Sequence, residues 1–222
     1  MQALSPKNSL ASPRRFDELL SKTSRLIAIL HVEQLSHAAP LLDALEEAGI
    51  KTIEVTLRSP CALAVIETMA ARAKEAVVGA GTLTRPEQFA AARDAGARFF
   101  VSPAFSPSLA NAADEVGLPF LPGATTPTEV LVAREHGYSE LKCFPSDLNG
   151  GLRWLQHLAP LFPDVSFCPT GGISNETISE VLSQPNVFAA GGMYMAPKQL
   201  IEASDWAAVK AVAEEAVRAA AR

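Results

Sequence analysis

The run Leu141-Lys142-Cys143-Phe144-Pro145 sets one ammonium group inside a short apolar stretch that a proline ends at once. Burial of such a lysine favours the neutral amine, a nucleophile able to form a Schiff base with a carbonyl. The pattern also suits a strand-end lysine whose stem follows apolar surface while its head reaches water. A second charge interrupts another apolar run, in Ile53-Glu54-Val55-Thr56-Leu57-Arg58. A buried carboxylate is costly unless paired or hydrogen-bonded, so Glu54 reads either as a structural partner for Lys142 or as a general acid/base tuned by that lysine and a low dielectric. Arg58, just past the end of the run, can clamp a carboxylate through charge-assisted hydrogen bonds.

Glycine-rich turns supply the remaining candidates. In Gly79-Ala80-Gly81-Thr82 the glycines allow backbone amides to approach an anion, and Thr82 offers a hydroxyl. Phe167-Cys168-Pro169-Thr170-Gly171-Gly172 and Ala189-Ala190-Gly191-Gly192 each end a strand-like run on paired glycines. Thr170, Gly171, Gly172, Gly191 and Gly192 therefore form a candidate phosphate cradle, with ordinary strand-to-helix turns as the plainer alternative. The turn Leu121-Pro122-Gly123-Ala124-Thr125-Thr126 is built of small residues and implies a roomy site. Of the histidines, His31 follows a strand and is placed to reach the site, whereas His37, His136 and His157 are expected on solvent-facing helix surfaces. No CxxC or HxxxH spacing supports a metal site.

These residues need a frame that gathers strand ends. Short apolar or β-branched runs alternate with alanine-rich amphipathic stretches, the pattern of repeated βα units with a parallel sheet. Strands are expected near residues 25–30, 51–56, 76–80, 98–101, 119–122, 140–144, 165–169 and 187–190. Helices are expected over residues 35–48, 60–74, 86–95, 107–116, 127–136, 151–158 and 175–184. Four of them start at Pro60, Pro86, Pro107 and Pro127, and Gly49, Gly96, Gly117 and Gly137 stand where helices stop. Eight such units predict an α/β (β/α)8 barrel, whose active site lies at the carboxyl ends of the strands. Two segments lie outside the repeat: an extra N-terminal helix over residues 14–22, able to cover the barrel bottom, and a terminal amphipathic helix over residues 206–221.

Composition narrows the classes. At 222 residues and 48% hydrophobic content the chain can bury one full core, so residues 13–222 are read as a single barrel domain preceded by a loose tail over residues 1–12. A net charge of −5 without a basic block argues against nucleic acid. No apolar run reaches the ~18 residues of a membrane span, and the polar N-terminus lacks a signal core. Cys61, Cys143 and Cys168 are odd in number and far apart, which suits reduced thiols and a cytoplasmic location.

With Val78-Gly79-Ala80-Gly81-Thr82 and Asn149-Gly150-Gly151, these motifs stand in the order of a known family. The chain resembles the class I 2-keto-3-deoxy-6-phosphogluconate (KDPG) aldolases, often also active on 4-hydroxy-2-oxoglutarate (KHG), over nearly its whole length. The resemblance implies a lyase of the Entner-Doudoroff pathway, with Lys142 as the Schiff-base lysine and Glu54 as the proton-shuttling carboxylate. It further implies Arg58 and Thr82 as contacts for the carboxylate of pyruvate, and Gly171 with Gly172 as phosphate cradle. A 2-keto acid substrate, a homotrimer, and neither metal nor cofactor complete the expectation.

The sequence departs from the commoner pattern at several positions. Met193-Tyr194 stands where many relatives have Ser-Trp, which removes a hydroxyl from the phosphate side. Ala28, Ala104 and Cys143 replace residues that are more often Pro, Gly and Phe. Activity on an unphosphorylated 2-keto-4-hydroxy acid, or on the galactonate epimer, is the alternative within this chemistry. A phosphate-binding barrel without Schiff-base chemistry is the alternative outside it.

Overall fold

The computed structural model describes residues 16–20 and 25–221; the expected tail over residues 1–12 lies outside them. Eight parallel strands alternate with helices among these residues. The first elements are α1 (Phe16–Leu20), β1 (Leu26–Leu30), α2 (Ala38–Glu47), β2 (Thr52–Thr56), α3 (Ala62–Arg72), β3 (Val77–Gly81), α4 (Glu87–Asp94) and β4 (Phe100–Val101). They are followed by α5 (Pro107–Val116), β5 (Phe120–Leu121), α6 (Pro127–Glu135), β6 (Glu140–Cys143), α7 (Gly151–Leu158) and β7 (Ser166–Pro169). The chain then runs through α8 (Ile178–Leu182), β8 (Ala190–Gly192), α9 (Lys198–Glu202) and α10 (Trp206–Ala220).

Six strands form one curled sheet in the order β5-β4-β3-β2-β1-β8, and β6-β7 form a second. The two sheets are hydrogen-bonded at both seams. Lys142 N donates to Pro122 O and Ala124 N to Lys142 O on one side, while Phe167 N donates to Asn186 O and Phe188 N to Phe167 O on the other.

Side-chain parity divides the core into two layers, because successive residues of a strand point to opposite faces. Leu26, Ala28, Leu30, Ile53, Val55, Leu141 and Cys143 pack outward against the helices. Ile27, Ile29, Phe99, Val101, Leu121 and Cys168 pack inward, where Phe16 and Leu20 of α1 join them. The Phe16 ring meets Phe99 edge-on at 5.1 Å, and its amide donates to Glu140 Oε2 at 2.5 Å, at the amino-terminal start of β6. With Ile53, Val55, Leu141 and Cys143 outward, Glu54 and Lys142 take the inward parity.

Several boundaries differ from the expected ones. Pro107 opens α5 behind a Ser106 cap, and Pro127 opens α6 behind a Thr126–Glu129 capping box. Pro86 takes the cap position of α4. Helix α3, however, begins at Ala62 and not at Pro60, because bonds from Arg58 N to Thr56 O and from Ser59 Oγ to Val32 O hold the preceding residues in the exit turn of β2. The helix expected over residues 175–184 is confined to α8, since residues 174–177 form a turn bonded through Ser174 and Thr177. β8 starts later than residue 187, which pairs with Phe167 as an isolated bridge before the pairing to β1 begins at Ala190. Helix α9 had no expected counterpart. Left-handed φ values at Gly49, Gly96, Gly117 and Gly137 agree with the expected helix stops.

Candidate active site

Lys142 and Glu54 meet between the two sheets, with Nζ 3.4 Å from Oε1. Their side chains are only 7% and 2% exposed, which removes the solvent-reaching reading of Lys142. Inward parity on β2 and β6 aims the two at each other from strands far apart in sequence. Room for the carboxylate comes from Gly81: a Cβ there would lie 1.9 Å from Glu54 Oε1. Gly79, one inward position earlier, similarly leaves space for the Phe99 ring. The Phe144 ring lies 5.4 Å from Lys142 Nζ and is itself part-exposed, so the Lys142 amine and an aromatic ring border the open end together.

Arg58 and Thr82 come to adjacent strand exits. Thr56 pairs with Gly81 in the β2–β3 register, so the next residues of both strands emerge side by side. Arg58 Nε donates to Thr56 Oγ1 at 3.3 Å, and Nη2 lies 3.7 Å from Met193 Sδ, across the exit of β1. Thr82 holds a left-handed backbone with φ 62°. For a β-branched residue that conformation costs on the order of 1–3 kcal/mol, a strain that persists only where the surroundings over-determine it.

The glycine turns of β7 and β8 are likewise neighbours. Thr170 bridges Gly191 across the strands, and Gly171 and Gly172 adopt φ of 96° and 69°. Thr170 N donates to Cys143 O and Ser146 N to Thr170 O, which ties the exits of β6 and β7 together. Gly192 faces the Tyr194 ring, which a Cβ would strike at 2.5 Å. Arg58, Thr82 and the glycine turns thus gather at the carboxyl-terminal exits of the strands, with Glu54 and Lys142 inside β2 and β6. Only Lys142 and Glu54 touch through their charged groups.

His31 sits at the exit of β1 with Nε2 3.2 Å from Glu33 Oε1. His37 is not solvent-facing: it is buried, stacked edge-on against Trp206 at 5.4 Å, and its Nε2 lies 3.4 Å from Ser204 Oγ. Packing of α10 over α2 covers it, which a single helix pattern cannot foretell.

Two neighbours of the site, Cys168 and Asp147, had no assigned role in the sequence, and Met193, noted there only for a missing hydroxyl, makes a contact with Arg58 that was not expected. Cys168 pairs in register with Lys142, and burial pushes its thiol up to about 12, with Lys142 pulling the other way and Glu54 adding to the rise. It is a neutral, proton-retaining floor beside the pair. Asp147 lies against the β7 turn, its carboxylate 3.1 Å from where a Gly171 Cβ would stand, and its Cβ 2.3 Å from that of Gly172. The usable signals were the inward parity of Cys168 on β7 and the position of Asp147 directly after Pro145-Ser146; the Met193 contact spans 135 residues and left none.

The family model for KDPG and KHG aldolase matches residues 17–212. A 2-dehydro-3-deoxy-phosphogluconate aldolase of Pseudoalteromonas atlantica is 39% identical over 88% of this chain and 91% of its own length. The KHG/KDPG aldolase of Escherichia coli is 38% identical over 91% and 95%. Among solved structures, a KDPG aldolase from Legionella pneumophila with pyruvate captured as a covalent carbinolamine superposes with a TM-score of 0.87 at 33% identity, covering 92% of this chain and 98% of that one. Matched by the family model over residues 17–212 and by these relatives along nearly their whole length, the chain belongs to the KDPG and KHG aldolases, which are lyases.

Proposed function

We propose that the protein is a class I aldolase that reversibly cleaves 2-keto-3-deoxy-6-phosphogluconate into pyruvate and glyceraldehyde 3-phosphate, with Lys142 as the imine-forming residue. The observation that carries this reading is the buried Lys142–Glu54 contact at 3.4 Å. The neutral Lys142 amine adds to the C2 ketone to give a carbinolamine, and loss of water leaves a protonated imine that withdraws electrons from the adjacent carbon. Glu54, directly or through a water, takes the C4 hydroxyl proton while the C3–C4 bond breaks and its electron pair enters the enamine. The aldehyde departs, the enamine is protonated at C3, and hydrolysis of the imine frees pyruvate and Lys142. Arg58 and Thr82 hold the substrate carboxylate and so decide which carbonyl meets the amine. Thr170, Gly171, Gly172, Gly191 and Gly192 receive the phosphate through backbone amides, as glycine turns in barrels commonly do.

The two seams between the sheets support a closed (β/α)8 barrel, with α1 as the cover of its amino-terminal end. A single domain over residues 13–222, a homotrimer, and a cytoplasmic location complete the reading; no helix among the described residues is long and apolar enough to cross a membrane.

A second substrate, 4-hydroxy-2-oxoglutarate, is favoured by two features of the phosphate side: the Asp147 carboxylate against the Gly171–Gly172 turn and a thioether at Met193. Lost hydrogen bonds to a charged group cost about 1.5–3 kcal/mol each, enough to shift preference toward an acid without phosphate. Borohydride added with pyruvate is expected to fix one pyruvyl mass on Lys142, and an unmodified Lys142 at saturating pyruvate contradicts the aldolase reading. Comparing kcat/KM for the two substrates then ranks them.

A further inference from the structure

Met193 stands at the exit of β8 with its sulfur 3.7 Å from Arg58 Nη2. Its side chain is 38% exposed, whereas Met69 and Met195 are fully buried. Among the described methionines it is thus the one that a dissolved oxidant reaches. The guanidinium it touches is the group that binds the substrate carboxylate, if the function proposed above holds. Arg58 is otherwise lightly held: its Nε has a 3.3 Å bond to Thr56 Oγ1, and the residue is exposed.

We propose that Met193 is an oxidation site through which a peroxide weakens substrate binding. The Sδ lone pair attacks one peroxide oxygen, the O–O bond breaks, and the second oxygen leaves with both protons as water; sulfur is oxidised by two electrons and peroxide is reduced by two. The thioether is a weak acceptor, while the sulfoxide carries an oxygen one bond length closer to Arg58 and accepts strongly from a guanidinium. A hydrogen bond of that kind turns Arg58 toward the β8 exit and away from the strand-2 side, where Thr82 shares the carboxylate. The chemistry at Lys142 and Glu54 is untouched, so the effect falls on KM. Disulfide formation is no competitor at the centre, because Cys143 and Cys168 are buried and burial pushes their thiols up to about 11 and about 12.

The test uses the intact protein treated with limiting hydrogen peroxide, with peptide mass mapping, the exchange of pyruvate methyl protons with deuterium, and borohydride trapping. Oxygen addition at Met193 is expected to precede that at Met69 and Met195, and KM for pyruvate to rise several-fold while kcat holds within twofold. Met193→Leu is expected to lose the peroxide response, and Met193→Gln, whose amide oxygen mimics the sulfoxide, to show the raised KM without peroxide. An equal response of the parent and Met193→Leu overturns the proposal, as does full oxidation at Met193 with KM unchanged. If Met193→Leu fails to fold, the Met193→Gln measurement and the mass-resolved parent decide alone. Failure of pyruvate trapping on untreated Lys142 counts against the aldolase reading and is read separately from the peroxide response.

Discussion

At the scale of single residues, the Lys142–Glu54 pair proposed to do the chemistry depends on a glycine that makes room for it. Glu54 occupies the volume that any side chain at position 81 would need, so Gly81→Ala is expected to push the carboxylate off Lys142. Misplacement by about 1 Å can cost on the order of a hundredfold in rate, and the expected outcome is a loss of that order in C–C cleavage with pyruvate trapping at Lys142 retained. Steady-state cleavage and trapping on the same variant check it. Two buried thiols, one on each face of the strands, yield a pH prediction. Cys143 and Cys168 ordinarily ionise near 9.0, and burial raises them to about 11 and about 12 in the folded chain. The unfolded state loses these protons first, so their contribution is complete below pH 9 and declines as pH rises toward 12. A urea midpoint that falls over this range, and falls less in Cys168→Ala, is the expected result.

At the scale of elements, the loop between β5 and α6 holds the open end of β6 in place. Thr126 caps α6, and Glu129 returns bonds to the amides of Thr125 and Thr126. Thr125 Oγ1 donates to Phe144 O at 3.1 Å, and Trp154 Nε1 of α7 donates to Thr125 O at 2.8 Å. The cap of one helix thereby fixes the segment that carries Phe144 beside Lys142. Thr126→Ala is expected to destabilise the protein by about 1 kcal/mol, read as a shift in the urea midpoint. Burial alone would raise the Glu129 carboxyl, yet the bonds from Thr126 and Thr125 outweigh it and hold the group below its ordinary range. Its stabilisation is accordingly present above pH 4.5 and lost only as pH falls through the lowered value.

At the scale of the whole molecule, the exposed apolar side chains are few and scattered, with Leu148, Leu161 and Leu35 foremost among the described residues. Leu148 sits beside Asp147 on the turn after β6, close to the Gly171–Gly172 turn. A homotrimer predicts a solution mass three times that of the 23.5 kDa chain, which light scattering after gel filtration measures. A monomer mass at micromolar concentration removes the trimer from the reading without touching the chemistry of Lys142.

Much of this was legible along the chain because local rules are written locally. Apolar runs alternating with amphipathic stretches foretold the eight strands, and the stop signals at Gly49, Gly96, Gly117 and Gly137 fell where the left-handed φ values are found. Lys142 and Glu54 stood out because a charge inside an apolar strand demands a partner. The sequence alone could not decide whether that partner was water or another charge, since the answer depends on strand parity and on which strands of the two sheets face each other. The same holds for Cys168 beneath the pair, Asp147 against the glycine turn, and Met193 against Arg58. Each is a contact between residues that sequence distance separates and that only the closing of sheet upon sheet brings within a few ångströms, where Coulomb and hydrogen-bond terms first act.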